Sequence, residues 1–337
     1  MPDIRENISL KKFNTFGVDA IARYFVTLGS TGEILDFLNS SYSEIHNRLI
    51  LGEGSNILFT KDFDGIVVRP AIMGINPVKE TRDHVYLKVG AGENWDSFVN
   101  YCVEHNWGGL ENLSLIPGSA GSSPIQNIGA YGVEVKDLIE SVETIEYAGK
   151  KTVTFKNDEC KFGYRDSIFK QKLKNRNIIT YVTFRLDKVH RYITHYGNIR
   201  KELDKYRETS IRNIREIIIN TRRNKLPDPK LLGNGGSFFK NPILSKETLE
   251  SIRQFYPRIP YWEAGRDQFK ISAAWLIEQC HWNKKRIGEV GTYVKHPLVI
   301  VNYGNATGKN ILEIARKIQK TVKNNFAIHL EPEVNIL

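Results

Sequence analysis

Residues 117–132 carry four glycines, at positions 118, 121, 129 and 132, where average usage predicts about one. Such density does not suit a strand or helix interior, because glycine loses the most backbone freedom on ordering and adds no side chain to the packing. The stretch reads as a loop at which the backbone is closely approached. Ser119, Ser122, Ser123, Gln126 and Asn127 supply short donors, which suits the cradling of a diphosphate and hydrogen bonding to a flat heterocycle; an ordinary loop is the alternative. A second cluster, Leu51-Gly52-Glu53-Gly54-Ser55-Asn56, follows an apolar strand. Its amides can point at phosphate oxygens or simply form a tight turn. A third, Leu232 to Ser237, also marks close backbone approach. None is followed by the Gly-Lys-Ser/Thr of a P-loop, and none is the Gly-x-Gly-x-x-Gly of a dinucleotide-binding Rossmann turn.

The 337 residues suffice for two or three packed units. Val-, Ile- and Tyr-rich runs predict strands at 49–51, 66–68, 85–89, 142–147, 178–186, 298–303 and 328–337. Three-to-four spacing of apolar residues predicts helices at 31–38, 94–105, 199–219, 264–280 and 307–322. Strands come in runs more often than in strict alternation with helices, which favours an α+β fold. Helix cannot continue through Leu226-Pro227-Asp228-Pro229, where a domain transition is expected. Cys102, Cys160 and Cys280 are widely spaced and contain no Cys-x-x-Cys, so neither a disulfide framework nor a zinc site is signalled. No apolar run is long enough to span a bilayer and no secretory leader opens the chain, so a cytoplasmic location without membrane insertion is expected. The excess of 48 basic over 38 acidic side chains, net +10, suits an anionic partner. A nucleic-acid reading of Arg212, Arg215, Arg222, Arg223 and Lys225 lacks any accompanying zinc-finger or RNP-like motif and is disfavoured.

The two glycine loops and their spacing resemble the FAD-binding domain of the vanillyl-alcohol oxidase/PCMH superfamily. Residues 116–132, Ile-Pro-Gly-Ser-Ala-Gly-Ser-Ser-Pro-Ile-Gln-Asn-Ile-Gly-Ala-Tyr-Gly, further resemble the signature of the UDP-N-acetylenolpyruvoylglucosamine reductase family, MurB, in its type I form. Five more ordered segments support the resemblance: Asn14-Thr15-Phe16-Gly17, Gly163 to Ser167, Lys225 to Pro229, Gly236 to Pro242 and Leu330 to Val334. The resemblance implies a PCMH-type FAD-binding region over residues 1–225, with its core at about 15–190. It also implies a substrate-binding domain at 226–327 and a final strand, 328–337, returning to the active site. The implied reaction passes hydride from NADPH to FAD and then to the enolpyruvyl double bond of a UDP-sugar, giving UDP-N-acetylmuramate for peptidoglycan. A monomer is expected.

Hydride addition at the vinyl carbon leaves negative charge on its neighbour and the attached carboxylate, so the site needs a cation and a proton donor. By resemblance Arg165 meets the first need, Ser237 donates the proton, and Glu333 assists Arg165, with Glu331 as the alternative glutamate. Flavin contacts are implied for Gly52, Gly54, Ser55, Asn56, Pro117, Gly118, Ser119, Gly121, Ser122, Ser123, Gln126, Asn127, Gly129, Ala130 and Arg222. Substrate contacts are implied for Tyr131, Tyr164, Tyr196, Lys225 and Asn241, with a tyrosine loop covering the substrate. No histidine lies between Asn106 and Gly132, so FAD is expected to be noncovalent, in contrast to many oxidases of the superfamily. Two departures stand out: Glu53 in the middle of the first loop, and Asn335 where an arginine is common.

Overall fold

The computed structural model describes residues 2–337. The chain forms two compact units, the first built from residues up to Ile8 with 22–53 and 64–222, the second from 9–21, 54–63 and 223–337. Two short segments inside the expected 1–225 region thus belong with the C-terminal residues. Hydrogen bonding explains their allegiance: Asn302 Nδ2 donates to Phe16 O and Asn234 N to Thr15 O in the first, while Asn335 N and Leu337 N donate to Asn56 O and Leu58 O in the second.

The first unit is organised on two sheets. One runs in the order Ile4–Ser9, Ile21–Leu28, Phe63–Pro70, Arg48–Ile50, the last two parallel. Against it packs α1 (Thr31–Leu38), started by Ser30 Oγ accepting from Glu33 N and burying Ile34, Phe37 and Leu38. The other sheet is antiparallel, in the order Thr152–Lys156, Ile139–Glu146, Asn177–Asp187, His84–Gly90, Ile75–Glu80. Its core holds Trp95, Phe98 and Cys102 of α2 (Trp95–Glu104) against Phe184. The unit ends in α3 (Ile199–Leu203) and α4 (Ile211–Lys225).

The second unit carries a sheet ordered Gly233–Ser237, His296–Asn302, Val290–Tyr293, Arg286–Ile287 and a three-stranded sheet of Ile243–Ser245, Gln268–Ile271 and Tyr261–Gly265. Its helices are α5 (Lys246–Phe255), α6 (Ala273–Gln279) and α7 (Gly308–Phe326). Ile311, Ile314, Ala315, Ile318 and Val322 form the buried face of α7 anticipated from their spacing.

Both units mix helix and strand, as an α+β fold requires. Three local expectations are corrected. The helix predicted at 199–219 is broken between Leu203 and Ile211, where Ser210 Oγ accepts from Asn213 N and starts a new helix. The helix predicted at 264–280 is instead a hairpin followed by α6. Gly265 and Asp267 turn the chain at φ 137° and 55°, and Ser272 Oγ caps α6 by accepting from Trp275 N. The strand predicted at 328–337 is regular only at Asn335–Ile336, parallel to Ile57–Leu58. Ahead of it, Ala327 sits at φ 56° and Pro332 has no N–H, so the segment bonds first to residues 238–240 and then to 56–60. All three cysteines are buried and unbridged. No helix among the described residues is long and apolar enough to cross a membrane.

Candidate active site

In the first unit the two glycine loops touch. A Cβ built on Gly52 would lie 3.2 Å from Ser119 Oγ and 3.4 Å from Ser122 Cβ, so the backbones approach as closely as side chains normally would. Residues 118–123 form a compact turn: Ser119 N donates to Ser122 Oγ, Ser122 Oγ to Ser119 O, and Ser123 Oγ to Ala120 O. The hydroxyls of Ser122 and Ser123 thus serve the loop itself. Trp95 N donates to Gly118 O and joins the turn to α2. Glu53 is ion-paired with Arg69 at 3.0 Å, which accounts for an acidic residue beside a loop suited to phosphate. Such a cradle, glycine-lined and rich in short donors, fits the diphosphate of FAD.

The remainder of the first loop lies in the second unit. Gly54 has φ 63°, and a Cβ there would strike the Phe13 carbonyl. Thr15 Oγ1 donates to Ser55 O, and Asn56 Nδ2 donates to Glu333 O at 3.1 Å. Asn335 donates to Asn56 O through both its backbone N and Nδ2, so its side chain is engaged in holding the first loop.

Arg165 occupies a tight turn bracketed by Gly163 and Asp166 and itself has φ 55°. Its Nη2 donates to Gly129 O at 2.9 Å, and its guanidinium lies 5.8 Å from the centre of the Tyr164 ring. Asp166 accepts from Gln171 instead. The turn is tied to the glycine segment by Asn127, a fully buried residue whose Nδ2 donates to Gly163 O and Glu134 Oε2 while Oδ1 accepts from Lys136 N. Assigned to flavin on resemblance, the Asn127 side chain has its polar atoms engaged within the protein.

Tyr131, at φ 49°, meets Tyr196 edge to face with centroids 6.0 Å apart. Burial raises the Tyr131 phenol above its ordinary pKa, opposed by the Arg222 guanidinium that hydrogen-bonds it. Arg222 Nε also donates to Leu115 O, and Leu115 N donates to Asp96 Oδ1. Asp96 in turn pairs with Arg215 at 2.7 Å. Arg215 therefore faces inward and belongs to no nucleic-acid surface, although sequence reading grouped it with an exposed basic run. Its position was legible, since Ile211, Ile214, Arg215, Ile218 and Arg222 recur at the spacing of one helical face. Asn112 and His296 carried no such signal.

In the second unit, Ser237 ends a strand in register with Val299, after Gly236 at φ 71°. Phe238 and Phe239 pack into the core behind it. The Ser237 hydroxyl makes no hydrogen bond among the described residues. The two candidate glutamates are separated by their partners. Lys240 Nζ pairs with the exposed Glu331 at 3.2 Å, while the backbone of Glu333 bonds to Phe238 O and Asn56 Nδ2. Asn241 Oδ1 accepts from Ala273 N at the start of α6. Lys225 lies near His296, whose buried Nδ1 has no partner among the described residues. Burial first, and then the Lys225 charge, push the His296 pKa below its ordinary value.

Comparison with known proteins finds two family models on the chain. Residues 22–154 match the model of an FAD binding domain and residues 228–337 that of the UDP-N-acetylenolpyruvoylglucosamine reductase C-terminal domain. The reductase of Amoebophilus asiaticus is 48% identical over 99% of both chains. That of Flavobacterium johnsoniae is 45% identical over 99% of this chain and 100% of its own. The solved reductase (MurB) from Thermus caldophilus, 22% identical, shares the fold with a TM-score of 0.69 over 100% of this chain and 99% of its own. Identity at this level, sustained across the full length and joined to an FAD-binding domain, means that the chain belongs to the UDP-N-acetylenolpyruvoylglucosamine reductase family of flavin-dependent oxidoreductases.

Proposed function

We propose that this enzyme uses NADPH and noncovalently held FAD to reduce UDP-N-acetyl-3-O-enolpyruvylglucosamine to UDP-N-acetylmuramate. The observation that carries the reading is the close approach of Gly52 to Ser119 and Ser122, a cradle in which any larger side chain at position 52 would crowd the serines. When bound, FAD would accept hydride from NADPH and supply it to the vinyl carbon.

The chain's own residues manage the charge and the proton. Arg165 remains cationic and presents a planar donor fork to the substrate carboxylate, where charge develops. Ser237 donates a proton to the adjacent carbon, and its hydroxyl is available for this because no group among the described residues holds it. A serine is a weak acid, so its alkoxide needs a neighbouring cation or donor. Glu333 assists at the enolpyruvyl group, whereas Glu331 is neutralised by Lys240. Lys225, Tyr196 and Asn241 bind the substrate, with Tyr196 and Lys225 at its diphosphate and carboxylate and Tyr131 covering the pocket. The reading places a monomeric enzyme in the cytoplasm.

The test is an anaerobic absorbance experiment on the purified protein. Bleaching of the flavin by NADPH, followed by recovery only with the enolpyruvyl UDP-sugar, is expected. Recovery with air and a simple sugar or alcohol, but not with the enolpyruvyl sugar, would replace this reading with an oxidase.

A further inference from the structure

Residues 188–198 join the strand Asn177–Asp187 to α3 without helix or strand of their own, yet they carry Tyr196. A segment of this kind keeps one geometry only if side chains fasten it. Its start is anchored by Lys188, which bonds to Asp83 O and Glu80, and by the His190 ring, which contacts Asn106 O at 3.0 Å. Further along, the anchor is Asn112. Its side chain is 1% exposed, and Nδ2 donates to two carbonyls at once, Tyr131 O and Ile193 O, each at 2.9 Å. Because both neighbours are acceptors, the amide must present its NH2 to them, and Oδ1 is left buried without a partner among the described residues.

The same junction is closed from the other side by Gly132, φ 85°, at which a Cβ would lie 3.2 Å from Ile193 Cγ2 and 3.7 Å from Tyr196 Cβ. An amide at this position leaves one buried acceptor unbonded yet supplies a donor to a carbonyl on each of two separate chain segments, both of which a leucine of similar size would leave without one. The arrangement is explained if the two donors are needed to hold the segments in register.

We propose that Asn112 is a positioning residue for substrate binding, clamping the Tyr131 loop to the 188–198 segment so that Tyr131 and Tyr196 stand as one preformed aromatic edge for the UDP-sugar. The proposal rests on the reading of Tyr131 and Tyr196 as substrate contacts. Asn112 acts through the two backbone carbonyls it binds.

The test compares Asn112→Leu, Tyr196→Ala and the double variant as flavin-loaded enzymes. Asn112→Leu should raise KM for the enolpyruvyl UDP-sugar about tenfold while kcat stays within about twofold, the pattern of lost binding shared by ground and transition states. Bleaching by NADPH should be unchanged. Without substrate, amide hydrogen exchange should accelerate at residues 189–197 and not in α4. The double variant should lose less than the product of the two single losses, because Asn112 acts in part through that ring. Unchanged exchange at 189–197, multiplying effects in the double variant, or equal slowing of bleaching and turnover would each overturn the proposal. A normal KM in Tyr196→Ala would instead remove the substrate reading of Tyr196, with exchange still deciding whether Asn112 is a clamp. Should Asn112→Leu not accumulate folded, Asn112→Asp, of equal size but with carboxylate oxygens facing both carbonyls, is read by the same criteria.

Discussion

The side-chain amide of Asn127 donates to the carbonyl of Gly163 at 2.9 Å, joining the glycine-rich signature to the turn that presents Arg165. The bond gives a physical reason for an asparagine in a segment otherwise suited to phosphate: it braces the turn of Arg165, the arginine proposed to be catalytic. Replacement by leucine should lower unfolding free energy by about 3 kcal/mol, since two acceptors, Gly163 O and Glu134 Oε2, and one donor, Lys136 N, lose this partner. Urea denaturation measures that loss. Stopped-flow spectra of the same variant should show flavin reoxidation by the UDP-sugar slowed more than its reduction by NADPH.

Ser237→Ala should leave reduction by NADPH near normal and slow the second half-reaction by about 10²–10⁴-fold, the range expected for a lost general acid. Equal slowing of both half-reactions would remove the proton-donor role. Glu333→Gln should also slow the second half-reaction. Glu331→Gln should not, because that carboxylate is solvent-facing and occupied by Lys240.

Arg215→Met should destabilise the protein by about 3 kcal/mol, at the low end for a broken buried pair because Asp96 retains partial exposure. Asp96 also accepts from Leu115 N, so the variant should loosen the loop ahead of Gly118 and lower flavin occupancy. Thermal denaturation and the flavin-to-protein absorbance ratio read the two effects. Full flavin retention with unchanged stability would show that the pair is ornamental.

His296 has its pKa depressed in the fold, by burial and then by Lys225. Its contribution to stability is therefore present above the unfolded value of about 6.5 and is lost as pH falls through the folded value, because the unfolded chain takes up the proton first. His296→Gln should flatten the decline in stability on acidification from neutrality. Lys225→Met should raise the His296 titration midpoint, followed by NMR of the imidazole, and a midpoint that moves down would contradict the proximity of the two groups.

Gly54→Ala should destabilise the fold by about 3 kcal/mol, combining left-handed backbone strain with a clash at the Phe13 carbonyl. Ala at Gly236, also at positive φ but with open space around it, should suffer the strain alone and lose about half as much. Paired denaturation curves of the two variants separate strain from clash.

Much of this was legible in one dimension. The helix Thr31–Leu38 and the buried face of α7 follow from residue periodicity, because amphipathic spacing reports one local geometry whatever the partner. The glycine loops at 52–54 and 118–132 announced themselves by composition, whereas the third cluster, Gly233–Ser237, folds as a strand despite its glycines. Other features depended on partners far along the chain. The allegiance of residues 9–21 to the C-terminal unit rests on bonds from Asn234 and Asn302 to Thr15 and Phe16, more than 200 positions away. Glu331 and Glu333 looked equivalent as Glu-x-Glu until Lys240 engaged one of them. Asn112 was indistinguishable from any polar loop residue, and Asn127, expected at the flavin, is engaged within the protein, because an amide carries no periodicity and acquires its role only from the partners that folding brings to it. Local steric preference and solvent affinity are written in each residue and its neighbours; hydrogen-bond partnership at a buried site belongs to the pair, and only the tertiary structure makes the pairs.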